Sequence, residues 1–323
     1  MFEVFIGSKF EFMSRRRVAY IVSAVLMLAS IGSLIAHGGP RRSIDFTGGT
    51  LLDVGFDQVV VVGTVRQAAI NAGIEGAEIQ MVEGGTDAIL RINPENAPEN
   101  PFVALRDELR ESAGLEATLR RTETVGPKVG AELAQKATMA VMWSLVLILL
   151  YIAWRFTRFS FGIAAVVALF HDILITLGVF SVVNVEVSLT VVAALLTIGG
   201  YSINDTIVLF DRIRENRGLI KRKTFSELVN ISINQTLSRT VLTSMTTLVA
   251  VGALYFLGGI VIRDFAFAMI IGVLIGTYSS IFVASALAID IHVWWERRKA
   301  AKAHAAGTKG KTAKGKTKPV PAR

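Results

Sequence analysis

A six-span helical membrane protein with one small α+β domain, placed outside the cytoplasm between the first two spans, is the fold this sequence predicts. Three observations predict it. Six apolar runs are each long enough to cross a hydrocarbon core of about 30 Å, which takes about 20 helical residues. The only large polar segment falls between the first two runs. Lys and Arg crowd the stretches that would then face the cytoplasm. Apolar residues make up 52% of the 323-residue chain, and the mean hydropathy is +0.53.

Taken in order, residues 1–17 form a cytoplasmic N-terminus ending in Arg15, Arg16 and Arg17. The first span covers 18–37. A cleaved signal peptide is the rival reading. The apolar core exceeds the roughly 7–15 residues of a signal, and the exit "AHGGP" offers no A-x-A site, which favours an uncleaved anchor. Residues 38–136 alternate strand and helix signals. "GTLLDVGF", "AEIQMV", "DAILRIN" and "LEATLRRTETVG" read as strands. "TVRQAAINAG" reads as a short helix from Thr64, and "FVALRDELRESAG" as a helix closed by Gly114. The order β-α-β-β-α-β suits a split-βαβ, ferredoxin-like domain. Spans two to four follow at 137–154, 159–183 and 187–210. A charged cytoplasmic loop is expected at 211–237, span five at 238–258 and span six at 263–294.

The tail, 295–323, is basic, low in complexity and poor in large apolar groups, so disorder is expected. Its Gly310–Thr317 stretch satisfies G-x-x-x-x-G-K-[ST], the phosphate-cradling pattern. That pattern works only between a strand and a helix. In a repetitive basic stretch it carries no nucleotide-binding expectation.

Charge placement orients the chain. Of 34 Lys and Arg, 22 become cytoplasmic if the N-terminus is inside: four before the first span, Arg155 and Arg158, six between Arg212 and Lys223, and ten in the tail. The two short outer loops hold only Arg263. By the positive-inside rule both termini lie in the cytoplasm. The net charge of +8 is thereby a topology signal, with attraction to anionic lipid as a second use and no call for nucleic acid. The absence of cysteine excludes disulfides, thiol catalysis and Cys-based metal sites.

Polar residues inside the spans carry the functional question. An Asp at a helix centre costs roughly 2.5–3.5 kcal/mol on translocon scales, so such residues face protein or water and have partners. Asp205, preceded by Asn204, lies six residues before Asp211 in span four. It is either a structural carboxylate or a proton site. In span five Arg239 lies near the cytoplasmic boundary. Thr240, Thr243, Ser244 and Thr247 follow at helical spacing. This hydroxyl stripe is either a packing face or one wall of a hydrated path. His171 and Asp172 form a second polar pair in span three, and Gly272-x-x-x-Gly276 in span six allows close helix approach. Candidate proton-path residues are thus Asn204, Asp172, His171, Thr243 and Thr247, with Asp205 and Arg239 at the centre. No catalytic or metal-ligating constellation is expected, since neither H-E-x-x-H nor a paired-aspartate G-x-G-D occurs.

"IDFTGGT" (Ile44–Thr50), "VGPKVG" (Val125–Gly130), "HD" in span three, "GGYSINDTIVLFDRIREN" in span four and "QTLSRTVLTSMTTL" in span five resemble the SecF family of protein-export membrane proteins. The resemblance runs over about residues 15 to 295, and Ser43 stands where glycine is expected before the first motif. It implies half of a six-plus-six-helix unit of the resistance-nodulation-division (RND) type, the other half being SecD. It also implies a bacterial inner-membrane location, association with the SecYEG channel and with YajC and YidC, and use of the proton-motive force to help export unfolded preproteins. The family's membrane aspartate and arginine carry over to Asp205 and Arg239. No cofactor is implied beyond protons as the coupling ion, sodium being the alternative. Two other classes stay open: an RND-type exporter of small molecules or lipids, and a passive scaffold of the translocon.

Overall fold

The computed structural model describes residues 9–82, 84–93, 98–156, 159–220 and 223–314. Arg158, Lys221, Arg222, Glu83 of the "EGGT" turn, residues 94–97 and the ends 1–8 and 315–323 lie outside the described residues. The chain divides into two units. One comprises residues 34–145 and 180–193; the other comprises 1–33, 146–179 and 194–323.

The first unit is built on four strands: β1 (Gly49–Phe56), β2 (Glu78–Met81), β3 (Asp87–Ile92) and β4 (Ala117–Val125). They pair antiparallel in the order β2-β3-β1-β4. Leu52 faces Leu90 on one side and Thr122 on the other. Helices α3 (Val62–Asn71) and α4 (Pro101–Ala113) follow β1 and β3. Leu52, Val54, Leu90 and Ile92 from the sheet bury against Val65, Ala69, Leu105 and Leu109 from the helices. Pro101 opens α4, where a missing N–H costs nothing, and Gly114 closes it in the left-handed region at φ 62°.

The two glycine motifs explain each other. Ser43 caps the single turn α2 (Ile44–Thr47) by accepting from the Asp45 N–H at 3.2 Å. The chain then turns through Gly48 (φ 74°) and Gly49 (φ 128°) into β1. A Cβ on Gly48 would lie 3.0 Å from the Pro127 backbone, and one on Gly49 would lie 2.7 Å from the Ile92 carbonyl oxygen. A Cβ on Gly130 would in turn meet Gly48 N at 2.9 Å. "IDFTGGT" and "VGPKVG" therefore pack backbone against backbone. Gly49→Ala is expected to cost at least about 2 kcal/mol through the positive φ alone. The thermal unfolding midpoint of the purified chain should fall, while Gly63→Ala, with open space around it in α3, should not lower it.

Helix α1 (Arg16–Ala36) precedes this unit. Then come α5 (Pro127–Arg155), α6 (Phe159–Val182), α7 (Leu189–Leu219) and α8 (Phe225–Leu257). Span six is α9 (Ile260–Ser279), a π-turn (Ser280–Ala284) and α10 (Ser285–Lys314). Among the described residues these provide six helical stretches long and apolar enough to cross a membrane. In the second unit Phe161 stacks on Phe210 at 4.7 Å, and Phe156 meets Phe210 edge-on at 5.5 Å. The N-terminal segment lies along α8. Phe12 N–H donates to Asn230 Oδ1 at 2.8 Å, Phe10 N–H donates to Asn234 Oδ1 at 3.0 Å, and Phe12 meets Phe282 edge-on.

Three boundaries differ from expectation. Helix α5 starts at Pro127 and not at 137, because proline suits a helix's first position and "KVGAELAQK" continues it. The expected loop at 211–237 is largely helical. Its charges masked a capping box, in which Thr224 Oγ1 accepts from Glu227 N–H while the Glu227 carboxylate accepts from Thr224 N–H. The buried Leu228, Val229, Ile233 and Leu237 then hold that stretch of α8 in place. The tail expected to be disordered continues α10 to Lys314, consistent with its Ala, Lys and Arg content.

Candidate functional site

The site gathers on α7 because one face of that helix stays buried for its whole central length. Ile198, Ser202, Asp205, Thr206, Leu209 and Ile213 recur at helical spacing, each no more than 5% exposed. Helix α9 can approach this face closely. A Cβ on Gly272 would lie 2.3 Å from the Ile198 side chain, and one on Gly276 would lie 3.2 Å from Ser202 Cβ. The two glycines picked from the sequence thus act as a packing pair against α7.

Asp205 is buried, and its Oδ2 has no hydrogen-bond partner among the described residues. Arg239 on α8 acts on it electrostatically, without an ion pair within 4.0 Å among the described residues. Asp205 lies fourteen residues before the end of α7, and Arg239 fourteen after the start of α8. The two helices therefore carry these residues at matching sequence distances from the segment that joins them. Arg239 and Asn204 are both exposed on this chain.

His171 and Asp172 of α6 are assembled separately. Asp172 is fully buried, and both its oxygens are occupied. His171 Nδ1 meets Oδ1 at 2.9 Å, while Ser202 Oγ and Ser279 Oγ donate to Oδ2 at 2.5 and 2.8 Å. The carboxylate thus binds α6, α7 and α9 at one point. Beside it Ser280, first residue of the π-turn, bonds Thr206 Oγ1 at 2.9 Å and reaches the Ser202 carbonyl at 3.4 Å. Ser285 Oγ donates back to the Ser280 carbonyl at 3.0 Å, spanning the widened turn. π-turns concentrate at functional positions, and this one abuts the turn of α7 that carries Asp205.

The hydroxyl stripe of α8 splits. Thr243 Oγ1 bonds the Arg239 and Thr240 carbonyls, and Thr247 Oγ1 bonds the Thr243 carbonyl, all within their own helix. Ser244 reaches outward, to Tyr201 Oη at 3.2 Å and Thr277 Oγ1 at 2.7 Å. Among the described residues no hydrogen bond joins Thr243 or Thr247 to Asp205. Sequence reasoning missed Ser202, Thr206, Ser279, Ser280 and Ser285. The signal was present as "TYSSIFVAS", four hydroxyl side chains besides the tyrosine in an otherwise apolar run.

Comparison with known proteins matches residues 104–294 to the family model "Protein export membrane protein SecD/SecF, C-terminal" and residues 33–58 to "SecD/SecF GG Motif". Protein translocase subunit SecF of Desulfurispirillum indicum is 44% identical over 89% of this chain and 92% of its own. Protein translocase subunit SecDF of Thermus thermophilus is 45% identical over 92% of this chain, which spans only 40% of that longer protein. The crystal structure of SecDF from Thermus thermophilus, described as a translocon-associated membrane protein, superposes with a TM-score of 0.79. It is 44% identical over 90% of this chain and 39% of that one.

Proposed function

From the premise that this chain belongs to the SecF branch of the SecD/SecF family of protein-export membrane proteins, we propose that it is the SecF-type subunit of a proton-driven export motor. It would work with a SecD-type partner, the two halves being fused in the longer relative. The single observation that carries the reading is Asp205. It is a buried carboxylate in a membrane-crossing helix with one oxygen unpartnered and Arg239 acting on it.

Asp205 takes a proton from the outer side and releases it to the cytoplasm, with Arg239 stabilising the ionised form. Asn204 lines the approach. The His171–Asp172 pair holds the helices around the site, and Thr243 and Thr247 follow Arg239 at one-turn intervals along α8. One charge crossing the membrane potential supplies about 2.3 kcal/mol per 100 mV, enough to bias a domain movement with each proton. The acidic group that completes the path belongs to the SecD partner. SecYEG, with YajC and YidC as further associates, is the machinery it serves, and unfolded preprotein is the load. The orientation has both termini in the cytoplasm of a bacterial inner membrane. The strand order β2-β3-β1-β4 with helices after β1 and β3 supports reading the outer domain as ferredoxin-like.

Vesicles holding this chain, its SecD partner and the channel should export a preprotein faster under a proton gradient, and a sodium gradient should not substitute. Vesicles lacking either half should show no such dependence. A scaffold would give equal export with and without the gradient, and that result would end the motor reading.

A further inference from the structure

The link between α6 and α7, residues 183–188, is bound into the β-sheet unit. Val187 N–H donates to the Arg41 carbonyl at 2.7 Å, and Ser43 N–H donates to the Val187 carbonyl at 3.1 Å. Arg42 and Val187 thereby form an isolated parallel bridge. The N–H of Leu189, first residue of α7, donates to Asp45 Oδ2 at 2.9 Å. Asp45 thus caps α7 from another part of the chain, with its negative charge at the helix's positive end.

Charge closes the same joint. Glu186 Oε1 forms ion pairs with Arg41 Nε at 3.2 Å and with the Arg91 guanidinium. Both arginines also pair with Glu78, Arg91 at 2.9 Å, and Glu78 and Arg91 face each other in the β2–β3 register. The Glu186 and Arg91 side chains are only 13% and 14% exposed. Burial pushes the Glu186 carboxyl above the ordinary glutamate range, against the downward pull of Arg91 and then Arg41. Replacing a buried ion pair by apolar side chains is often neutral or stabilising, so such a pair is better explained by the geometry it fixes than by stability. The geometry fixed here is the position of the α7 N-terminus against the sheet. Sixteen residues further along the same continuous helix, about 24 Å at 1.5 Å per residue, sits Asp205.

We propose that Glu186, Arg41 and Arg91, with the Asp45 cap on Leu189, form a rigid joint that carries displacement of α7 into the β-sheet domain. The inference rests on Asp205 being the proton-coupled group. The joint stays closed throughout the cycle, and its residues are positioning residues that touch neither the coupling ion nor the transported chain.

Proton flux and gradient-dependent export, measured in the same vesicles containing the SecD partner and the channel, separate this role from a structural one. Glu186→Gln keeps the side chain's shape and removes its charge. Gradient-dependent export should fall at least about fivefold while proton flux stays within about twofold of wild type, a loss on the scale of coupling between distant sites. The chain has no cysteine, so Arg42→Cys with Val187→Cys can lock the bridge by oxidation. Export should persist in the oxidised protein. Undiminished export in Glu186→Gln, loss of proton flux together with export, or a block by the oxidised pair would each overturn the joint. Wild-type vesicles with no gradient-dependent export would overturn the motor reading on which it stands, a result distinguishable from all three.

Discussion

Asp205→Asn is expected to remove gradient-dependent export while leaving the helices and the pairing with the SecD partner intact. The side chain is 5% exposed, and its Oδ2 makes no hydrogen bond among the described residues, so an amide of the same shape loses little. What it loses is the ability to alternate between charged and neutral. At 100 mV one proton is worth about 2.3 kcal/mol, and forfeiting that drive corresponds to about fiftyfold in the accelerated rate. The measurement is export from energised vesicles, with co-purification of the partner and an unchanged unfolding midpoint as controls. Gradient-dependent export retained by the variant would remove Asp205 from the mechanism. Arg239, exposed on this chain, is free to act from the neighbouring helix without locking the carboxylate in a permanent pair.

Asp172→Ala should do the opposite and act first on stability. Three groups converge on this fully buried carboxylate, and truncation strands the Ser202 hydroxyl and His171 Nδ1 in a closed space, while Ser279 Oγ keeps the Gly276 carbonyl at 3.1 Å. Each unsatisfied group costs about 1–3 kcal/mol, so a loss of at least about 2 kcal/mol is expected. In detergent this should appear as a midpoint lowered by at least about 3 °C. A variant as stable as wild type would show that the stranded hydroxyl and imidazole groups find other partners, and Asp172 would not be the point that holds α6, α7 and α9 together.

The contrast between these two aspartates was not legible in the sequence. Both read as costly carboxylates in apolar runs. Only the fold shows that one is saturated with donors and the other is not. The spans themselves were legible, because crossing a membrane demands a length of apolar chain that nothing else in the sequence imitates. So was β1, whose limits at Gly49 and Phe56 match the run of alternating residues after the glycines. The helical part of 211–237 was readable in principle from Thr224 and Glu227, but a cluster of charges suggested a loop. The π-turn was not readable at all. Its widening depends on Ser280 and Ser285, together with Thr206 and Ser202 on another helix, and no local preference encodes it. The seat of Phe10 and Phe12 on Asn230 and Asn234 was hidden for the same reason, since more than two hundred residues separate the partners.

The π-turn also sets the phase of span six. An α-helix advances 100° per residue, so the extra residue held in Ser280–Ala284 rotates everything after it by about that angle relative to a regular continuation. Ahead of the turn, Gly272, Gly276 and Ser279 address α7 and Asp172. Beyond it, Asp290 is aimed at Tyr20 of α1, whose hydroxyl it accepts at 2.7 Å. Span six is therefore two differently aimed halves spliced at a single offset. Deleting one residue within the splice would turn the C-terminal half like a key, pointing Asp290 away from Tyr20 without shortening the membrane-crossing stretch by more than one helical step.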